Sequence, residues 1–272
     1  MRPLCDLHTH TSYCDGSHSA EDMLKGAIKA GCKAYGFSGH SPLDLGQDWY
    51  MSPEGMREYV AETRALREKY LGQIEVYTGI EYDYMSDFDA SEFDYVIGSV
   101  HQIEKDGVIF ATDITAAELV RYMNELYGGD ALALARDYYE YMYTLCEKTS
   151  CDIIGHFDLI MKFNERGDIF DFTDRKYRHT ALEALEYLLS KDKIFEINTG
   201  AISRGIRSTV YPAENLLYLL KKQDGKLILS SDSHQIETLD SFFEESKKYL
   251  SDIGFTQLYT LADGKFVTYP IK

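Results

Sequence analysis

The feature that most constrains the fold is a repeated alternation of short apolar runs with longer segments of helical periodicity. The runs have the length of β-strands and lie at 4–10, 34–40, 74–82, 93–101, 151–156, 193–200 and 226–234. The helical segments lie at 20–30, 53–71, 115–149, 174–191 and 212–222, with a break at Gly128-Gly129-Asp130. Strands that alternate with helices in this way predict an α/β fold of the βα type.

The rest of the chain adds a hairpin but no second folding unit. Leu258 to Tyr269, with Asp263-Gly264 in the middle, has the pattern of two strands joined by a tight turn. No linker, low-complexity stretch or sustained block of charge interrupts the 272 residues. One α/β unit routinely reaches about 200–250 residues, so we expect a single domain over residues 1–272.

Charge and cysteine content narrow the classes of function. A net charge of −17 argues against a protein that binds long nucleic acid, because such binding requires basic surfaces. The five cysteines are odd in number and form no C-x-x-C pair, which favours reduced thiols and a cytoplasmic location. No apolar run is long enough for a membrane helix, and no secretory signal is visible.

Histidines and carboxylates collect at the ends of the predicted strands. In a parallel barrel these ends converge on one face, and in a strand residues i and i+2, such as His8 and His10, point to the same side. Asp15 follows the first strand after a turn and can serve a neighbouring ion. The predicted metal ligands are therefore His8, His10, Asp15, His40, Glu81, His101, His156, Asp232 and His234.

This set of donors predicts both the metals and the chemistry. Imidazole and carboxylate without thiolate suit zinc, iron or manganese, and nine ligands suffice for two or three divalent ions that keep positions open for water or substrate. Clustered divalent ions activate a bridging water and favour in-line displacement at phosphorus. Hydrolysis of a phosphoester is the leading expectation, and amide hydrolysis by a dinuclear barrel is the main competitor.

The same residues resemble a known family. The order His8-x-His10, Asp15, His40, Glu81, His101, His156 and Asp232-x-His234 is similar to that of the PHP (polymerase and histidinol phosphatase) superfamily. The resemblance covers essentially the whole chain. The segments Ser38-Gly39-His40-Ser41-Pro42, Gly79-Ile80-Glu81-Tyr82, Gly98-Ser99-Val100-His101 and Gly155-His156-Phe157-Asp158 look most like its monofunctional histidinol-phosphate phosphatase branch.

The resemblance implies a fold and a ligand arrangement. The implied fold is a distorted seven-stranded (β/α) barrel of TIM-like type, with the active site at the C-terminal ends of the strands. The implied site is trinuclear: His8, His10, Glu81 and Asp232 hold one ion, Glu81, His101 and His156 a second, and Asp15, His40 and His234 a third. The implied reaction is hydrolysis of a small phosphate monoester, such as L-histidinol phosphate in histidine biosynthesis, by a metal-bridging hydroxide.

Further residues are assigned to catalysis and to substrate. We expect Glu81, Asp232 and His234 to act in catalysis as well as in metal binding. Cationic residues near strand ends are expected to hold the phosphate, and the candidates are Arg204, Lys162, Arg207 and His18. The loop after the second strand offers partners for the cationic end of the substrate in Asp44, Asp48, Trp49 and Tyr50.

Two other functions remain open at this point. One is a PHP phosphoesterase that acts on another small monoester, on phosphotyrosine or on short oligonucleotides, although the acidic charge weakens the last of these. The other is a metal-stabilised binding module without turnover, which the intact set of ligands disfavours. The expected partner is a small-molecule phosphate monoester, with no membrane and no long nucleic acid, and homo-oligomerisation is left open.

Overall fold

The computed structural model describes residues 4–271, and the sheet strands follow the predicted apolar runs. In this part of the chain the strands are β1 (Leu4–Asp6), β2 (Cys32–Phe37), β3 (Glu75–Asp83), β4 (Tyr95–Ser99), β5 (Gln102–Lys105), β6 (Val108–Ala111), β7 (Ile153–Ile154), β8 (Ile194–Asn198), β9 (Lys226–Ser230), β10 (Gln257–Ala262) and β11 (Lys265–Pro270). β1–β4 and β7–β9 correspond to the seven predicted strands. Except at β3, the predicted runs extend two or more residues beyond the strands at their carboxyl ends, where the chain leaves the sheet and carries polar side chains.

The helices also lie close to the predicted segments. They are α1 (Ala20–Ala30), α2 (Pro53–Lys69), α3 (Ala116–Tyr127), α4 (Ala131–Thr149), α5 (Arg175–Ser190), α6 (Gly200–Ser203), α7 (Glu214–Lys222) and α8 (Phe243–Ile253). Side-chain caps begin several of them, as when the Ser52 hydroxyl accepts the Gly55 N–H at 2.9 Å. α3 ends at Gly128 in the left-handed conformation, which confirms the predicted break before α4.

Nine of the eleven strands in the described part of the chain form one large curled sheet. Its order is β1-β2-β3-β4-β7-β8-β9-β10-β11, in which β10 and β11 pair antiparallel and the other neighbours pair parallel. Beyond the strand ends, Thr9 after β1 and Ser233 after β9 form a parallel bridge. This bridge brings the two outer strands of the parallel set side by side, so their polar ends face a common centre.

The mixed α/β class is confirmed, and three details differ from the prediction. The described residues place nine strands in the sheet rather than seven, because the predicted hairpin of β10 and β11 joins it through β9. A separate hairpin of β5 and β6 was not predicted, since its strands are only four residues long and β5 contains a single apolar residue. The helices α6 and α8 were not predicted either.

The space inside the curled sheet is filled beneath the strand ends. The Tyr95 hydroxyl lies 2.5 Å from the Leu7 carbonyl and 3.0 Å from the Phe37 carbonyl. Gly36 and Gly79 leave room for this ring, because a Cβ at either would lie within 2.3 Å of Tyr95 atoms. The interior is therefore a packed apolar plug, and the open end above it carries the histidines. No helix within residues 4–271 is long and apolar enough to span a membrane.

Candidate metal centre

Glu81 lies at the centre of the cluster. It is part of β3 and is 1% exposed. One carboxylate oxygen, Oε1, lies 2.9 Å from His156 Nε2 and 3.3 Å from His101 Nε2. The other, Oε2, lies 2.9 Å from His40 Nδ1, 3.3 Å from His8 Nε2 and 3.6 Å from His10 Nε2. Its two oxygens thus face different imidazoles, which is the arrangement of a carboxylate that can bridge two ions.

Asp232 supplies a second carboxylate to the same two imidazoles of the His-x-His pair. Its Oδ1 lies 3.2 Å from His10 Nε2 and 3.7 Å from His8 Nε2. Its Oδ2 points the other way and accepts hydrogen bonds from Arg204 at 3.0 Å and from Asn198 at 3.3 Å. Oδ1 is therefore the oxygen available to a metal.

The third part of the cluster is more open to solvent. Asp15 Oδ2 lies 3.0 Å from His234 Nε2, and Asp15 Oδ1 lies 3.7 Å from His40 Nε2. His234 Nδ1 lies 3.0 Å from the backbone carbonyl of Asp232. Arg204 also faces this nitrogen, with its guanidinium 3.3 Å from His234 Nδ1. The other ring nitrogen, Nε2, is the one that faces Asp15 and could bind a metal beside it.

All nine predicted ligands are brought together, and they fit a polynuclear metal site. His8 Nε2, His10 Nε2, His40 Nδ1 and Glu81 Oε2 are buried and lie close to one another, but their angles do not allow hydrogen bonds, so none of them has a hydrogen-bond partner, although buried polar atoms are normally satisfied. The close donor groups among the described residues are His10, Asp15, His40 and His234; His8, Glu81 and His156; His8, His10 and Asp232; and His40, Glu81 and His101. These groups overlap at His8, His10, His40 and Glu81, so the division of ligands among ions stays a prediction.

The electrostatics favour the metal-binding protonation state at Glu81 and His10 but not at every ligand. Burial alone would raise the pKa of Glu81, but the imidazoles of His8, His40 and His101 lower it well below its ordinary value. Burial, together with the neighbouring His234 and His40, lowers the pKa of His10 to about 3. At neutral pH Glu81 is therefore an anion and His10 is neutral, and these are the forms in which carboxylate and imidazole coordinate a cation. Burial lowers the pKa of His8, His40 and His101, but the facing carboxylates outweigh burial and raise it, so metal binding at these imidazoles would release protons.

The cluster forms the floor of a cavity of about 260 Å³. The cavity is lined by Asp15, His40, Trp49, Glu81, His101, Asp113, Ile114, His156, Leu159, Lys162, Arg204, Asp232 and His234. Two predicted phosphate-binding residues, Arg204 and Lys162, thus lie beside the predicted metal ligands. Arg204 donates to the Asp232 carboxylate, and the Lys162 ammonium lies 3.0 Å from the Asp113 carboxylate.

The structure does not bring the other two predicted phosphate-binding residues to this cavity. Arg207 is 6% exposed, and its guanidinium donates to the Met161 carbonyl at 3.0 Å and lies over the Tyr211 ring. The Arg207 guanidinium therefore joins two loops and does not reach the cavity. Its position shortly after β8 in the sequence suggested a phosphate contact that the structure does not show. His18 is absent from the cavity lining, and its backbone carbonyl accepts the Ser12 N–H at 2.8 Å.

Sequence reasoning missed several residues that touch the ligands. Asp83 Oδ2 lies 3.0 Å from His101 Nδ1, and Glu196 Oε1 lies 2.5 Å from His8 Nδ1. Asp113, from the loop after the unpredicted β6, faces the cavity. The available signal was the position of Asp83 two residues after Glu81, and of Glu196 within an otherwise apolar run, since a charged residue in a buried strand requires a partner.

The fold and the cluster place this chain in a class of α/β proteins whose functional residues lie at the carboxyl ends of parallel strands. This chain belongs to the PHP domain family, whose model matches residues 6–200. Asp232 and His234 lie beyond the matched part.

Three known proteins are similar to this chain over most of its length. A protein of Schizosaccharomyces pombe named "Probable histidinol-phosphatase" is 30% identical over 94% of this chain and 89% of its own length. A protein of the same name from Deinococcus radiodurans is 29% identical over 93% of this chain and 95% of its own. The crystal structure of histidinol phosphate phosphatase from Lactococcus lactis, complexed with zinc, L-histidinol and phosphate, has a TM-score of 0.71 at 22% identity, covering 97% of this chain and 98% of its own.

Removal of one imidazole tests the ligand assignment. We expect His101→Ala to lose one bound ion and to lower kcat by about a hundredfold or more. This decrease corresponds to a loss of about 2.7 kcal/mol or more in transition-state stabilisation. Metal content by elemental analysis and kcat are the measurements. His179→Ala is the control, since that side chain is 70% exposed and lies 3.4 Å from Glu183 on α5. Unchanged metal content in His101→Ala would remove His101 from the ligand set.

Proposed function

We propose that this protein hydrolyses L-histidinol phosphate to L-histidinol and phosphate, as a step of histidine biosynthesis. The observation that carries the proposal is a cluster of nine candidate metal ligands, seven of which line one cavity of about 260 Å³ together with the cations Arg204 and Lys162. Such a cavity holds a small molecule and not a polymer. The names of the two curated relatives and the ligands of the Lactococcus lactis enzyme support the choice of substrate.

The cofactor of this reaction is a set of two or three divalent ions. Imidazole and carboxylate donors accept zinc, iron and manganese, and the zinc of the Lactococcus lactis structure supports zinc among these. The ligand grouping we propose keeps Glu81 as the bridge, with His8, His10 and Asp232 on one side and His101 with His156 on the other. Asp15, His40 and His234 would hold a third ion.

The protein's side chains orient the ester and balance its charge. Bound divalent ions supply Lewis acidity and lower the pKa of water. Arg204 and Lys162 add positive charge where the phosphate dianion enters, and their N–H groups can form charge-assisted hydrogen bonds with its oxygens. Glu81, Asp232 and His234 act in catalysis by keeping the reacting centre in place. Trp49, Ile114 and Leu159 provide the less polar wall, against which the organic part of the ester lies.

The finer architecture is part of the same proposal. Seven parallel strands, β1–β4 and β7–β9, form a distorted barrel, and the hydrogen bond from His10 N to Ser233 O at 2.8 Å supports its closure. Residues 1–272 act as one domain. The five unpaired cysteines support action in the reducing cytoplasm. Whether the protein forms homo-oligomers is a question for analytical ultracentrifugation.

Growth without histidine tests the proposed pathway. Expression of this chain should restore growth of a bacterium that lacks its own histidinol-phosphatase, and an equal amount of the Glu81→Gln variant should not. Failure of the wild-type chain to restore growth while it is abundant and metal-loaded would reject histidinol phosphate as the substrate in the cell. Rescue by both chains would show that the cluster is not required.

Arg204 and Arg207 form a matched pair for the phosphate contact. We expect Arg204→Ala to raise the KM for L-histidinol phosphate about tenfold or more, since hydrogen bonds to charged groups contribute about 1.5–3 kcal/mol. Arg207→Ala should leave KM unchanged and lower the melting temperature instead, because its guanidinium is buried against Met161 and Tyr211. Initial-rate kinetics and thermal melts separate the two effects. A KM that responds to Arg207 and not to Arg204 would place the phosphate elsewhere.

A further inference from the structure

One strand of the parallel set carries polar side chains that have no role so far. Within residues 4–271, each of β1–β4, β7 and β9 contains a predicted metal ligand or leads directly into one, whereas β8 (Ile194–Asn198) does neither. β8 instead carries Glu196 and Asn198, both 0% exposed. These side chains lie two residues apart on the same side of the strand, directly behind the ligands contributed by its neighbours.

Glu196 contacts the metal ligands of two other strand ends. Its Oε1 lies 2.5 Å from His8 Nδ1, while His8 Nε2 faces Glu81 and Asp232. Its Oε2 accepts the backbone N–H of His156 at 2.8 Å. A carboxylate that accepts the Nδ1–H of an imidazole fixes the tautomer whose Nε2 lone pair is free, and it raises the basicity of that nitrogen.

Asn198 extends the same contact network to a third strand end. Its Nδ2 lies 3.0 Å from Glu196 Oε2 and 3.3 Å from Asp232 Oδ2. Its Oδ1 accepts the Gly200 N–H at 2.9 Å, which fixes the orientation of the amide. Because Asp232 Oδ2 is occupied by Asn198 and Arg204, the carboxylate presents Oδ1 to the cluster.

We infer that Glu196 is a positioning residue of the metal centre and that Asn198 extends its action to Asp232. Together they hold His8, the backbone of His156 and the Asp232 carboxylate in one rigid arrangement. This inference rests on the proposed function, since it requires that the cluster binds metal. It goes further because it assigns a role to β8, which contributes no predicted ligand. The side chains of β8 control how tightly the surrounding ligands bind metal.

The number of hydrogen-bond donors around position 196 requires a carboxylate there. Its two oxygens face three N–H donors, on His8, His156 and Asn198. The isosteric variant Glu196→Gln offers one oxygen and one NH₂ group. In either orientation of that amide a donor must face a donor, so we expect His8 to change its tautomer or its position.

The test is the affinity of the protein for zinc, measured by competition with a chromophoric chelator. We expect Glu196→Gln to bind zinc about tenfold to a hundredfold more weakly than the wild type, as is typical when a partner of a ligating histidine is lost. The visible absorption of the cobalt-substituted protein should also change, because it reports ligand geometry directly. Asn198→Asp, which removes the donor to Asp232, should weaken zinc binding too and provides a second variant if Glu196→Gln does not fold.

Asn164→Asp is the matched control. Asn164 is also 0% exposed, and its amide donates to Phe170 O and accepts from Ile169 N, so this variant should lose stability but keep its zinc affinity. Wild-type affinity and spectrum in Glu196→Gln would overturn the inference alone. If the wild-type protein itself binds no zinc, iron or manganese, the proposed function fails and this inference fails with it.

Discussion

Glu81→Gln is expected to lower kcat/KM for L-histidinol phosphate by at least about a thousandfold, which corresponds to about 4 kcal/mol. The reason is that Glu81 is the only carboxylate of the described residues that lies within 4 Å of five imidazoles. Glutamine has the same shape but can ligate through one oxygen only. It cannot bridge two ions, and it removes a negative charge from a site that must hold several cations.

The measurement is steady-state kinetics with metal analysis of the same samples. Glu165→Gln is the control, because Glu165 is a carboxylate that accepts the Ser208 and Thr209 N–H groups at 2.9 Å and joins two loops outside the cluster. This variant should retain wild-type kinetics. A Glu81→Gln enzyme with both full metal content and more than about a tenth of wild-type activity, a difference of about 1.4 kcal/mol or less, would contradict the bridging role.

Removal of the metal ions should abolish hydrolysis and lower the thermal stability of the protein. A ligand that binds only the folded state stabilises it by about 4 kcal/mol at a thousand times its Kd. For a domain of this size each kcal/mol corresponds to about 2–4 °C in melting temperature. In addition, Glu81, Asp232 and Asp15 keep their negative charges in the folded protein, because nearby cations and imidazoles lower the pKa of each carboxyl.

Dialysis against a chelator, followed by stepwise return of zinc or manganese, tests this expectation. Activity and melting temperature should recover together, and recovery should be complete at two to three equivalents of metal. The Glu81→Gln variant should show a smaller change in melting temperature on chelation. A chelated wild-type protein that hydrolyses phosphate esters and melts at its original temperature would contradict a metal-dependent mechanism.

The convergence of the ligands was predictable because of the topology of parallel strands. His8 and His234 are separated by most of the chain, yet the bridge between Thr9 and Ser233 brings them into one cluster. The pattern of apolar runs indicates which residues end a strand, and a parallel sheet places all those ends on one side. The presence of the site follows from this, without knowledge of any side-chain conformation.

The division of ligands among ions could not be predicted on the same basis. His10 presents Nε2 to Asp232 and Nδ1 to Asp15, and His40 presents Nδ1 to Glu81 and Nε2 to Asp15. Each ring therefore lies between two candidate positions. The rotation of an imidazole depends on the packing of the side chains around it, and the sequence pattern does not contain this information.

The roles of Arg204, Arg207 and Glu196 could not be predicted from the sequence either. Arg204 and Arg207 occur in one short segment after β8, yet one faces the cavity and the other is buried between loops. Glu196 was overlooked because an apolar run around a carboxylate predicts only a buried strand. Its purpose becomes apparent when His8, at the far end of the sequence, is seen 2.5 Å away.

The most direct test of the central claim is the rate of phosphate release from L-histidinol phosphate by the metal-reconstituted protein. It should be compared with p-nitrophenyl phosphate, a phosphotyrosyl peptide and a 5′-phosphorylated oligonucleotide. We predict a kcat/KM for histidinol phosphate at least about a hundredfold above the others, or about 2.7 kcal/mol of discrimination. Equal or faster hydrolysis of another ester would contradict the assignment to histidine biosynthesis, and no hydrolysis of any ester by metal-loaded protein would contradict a phosphatase function altogether.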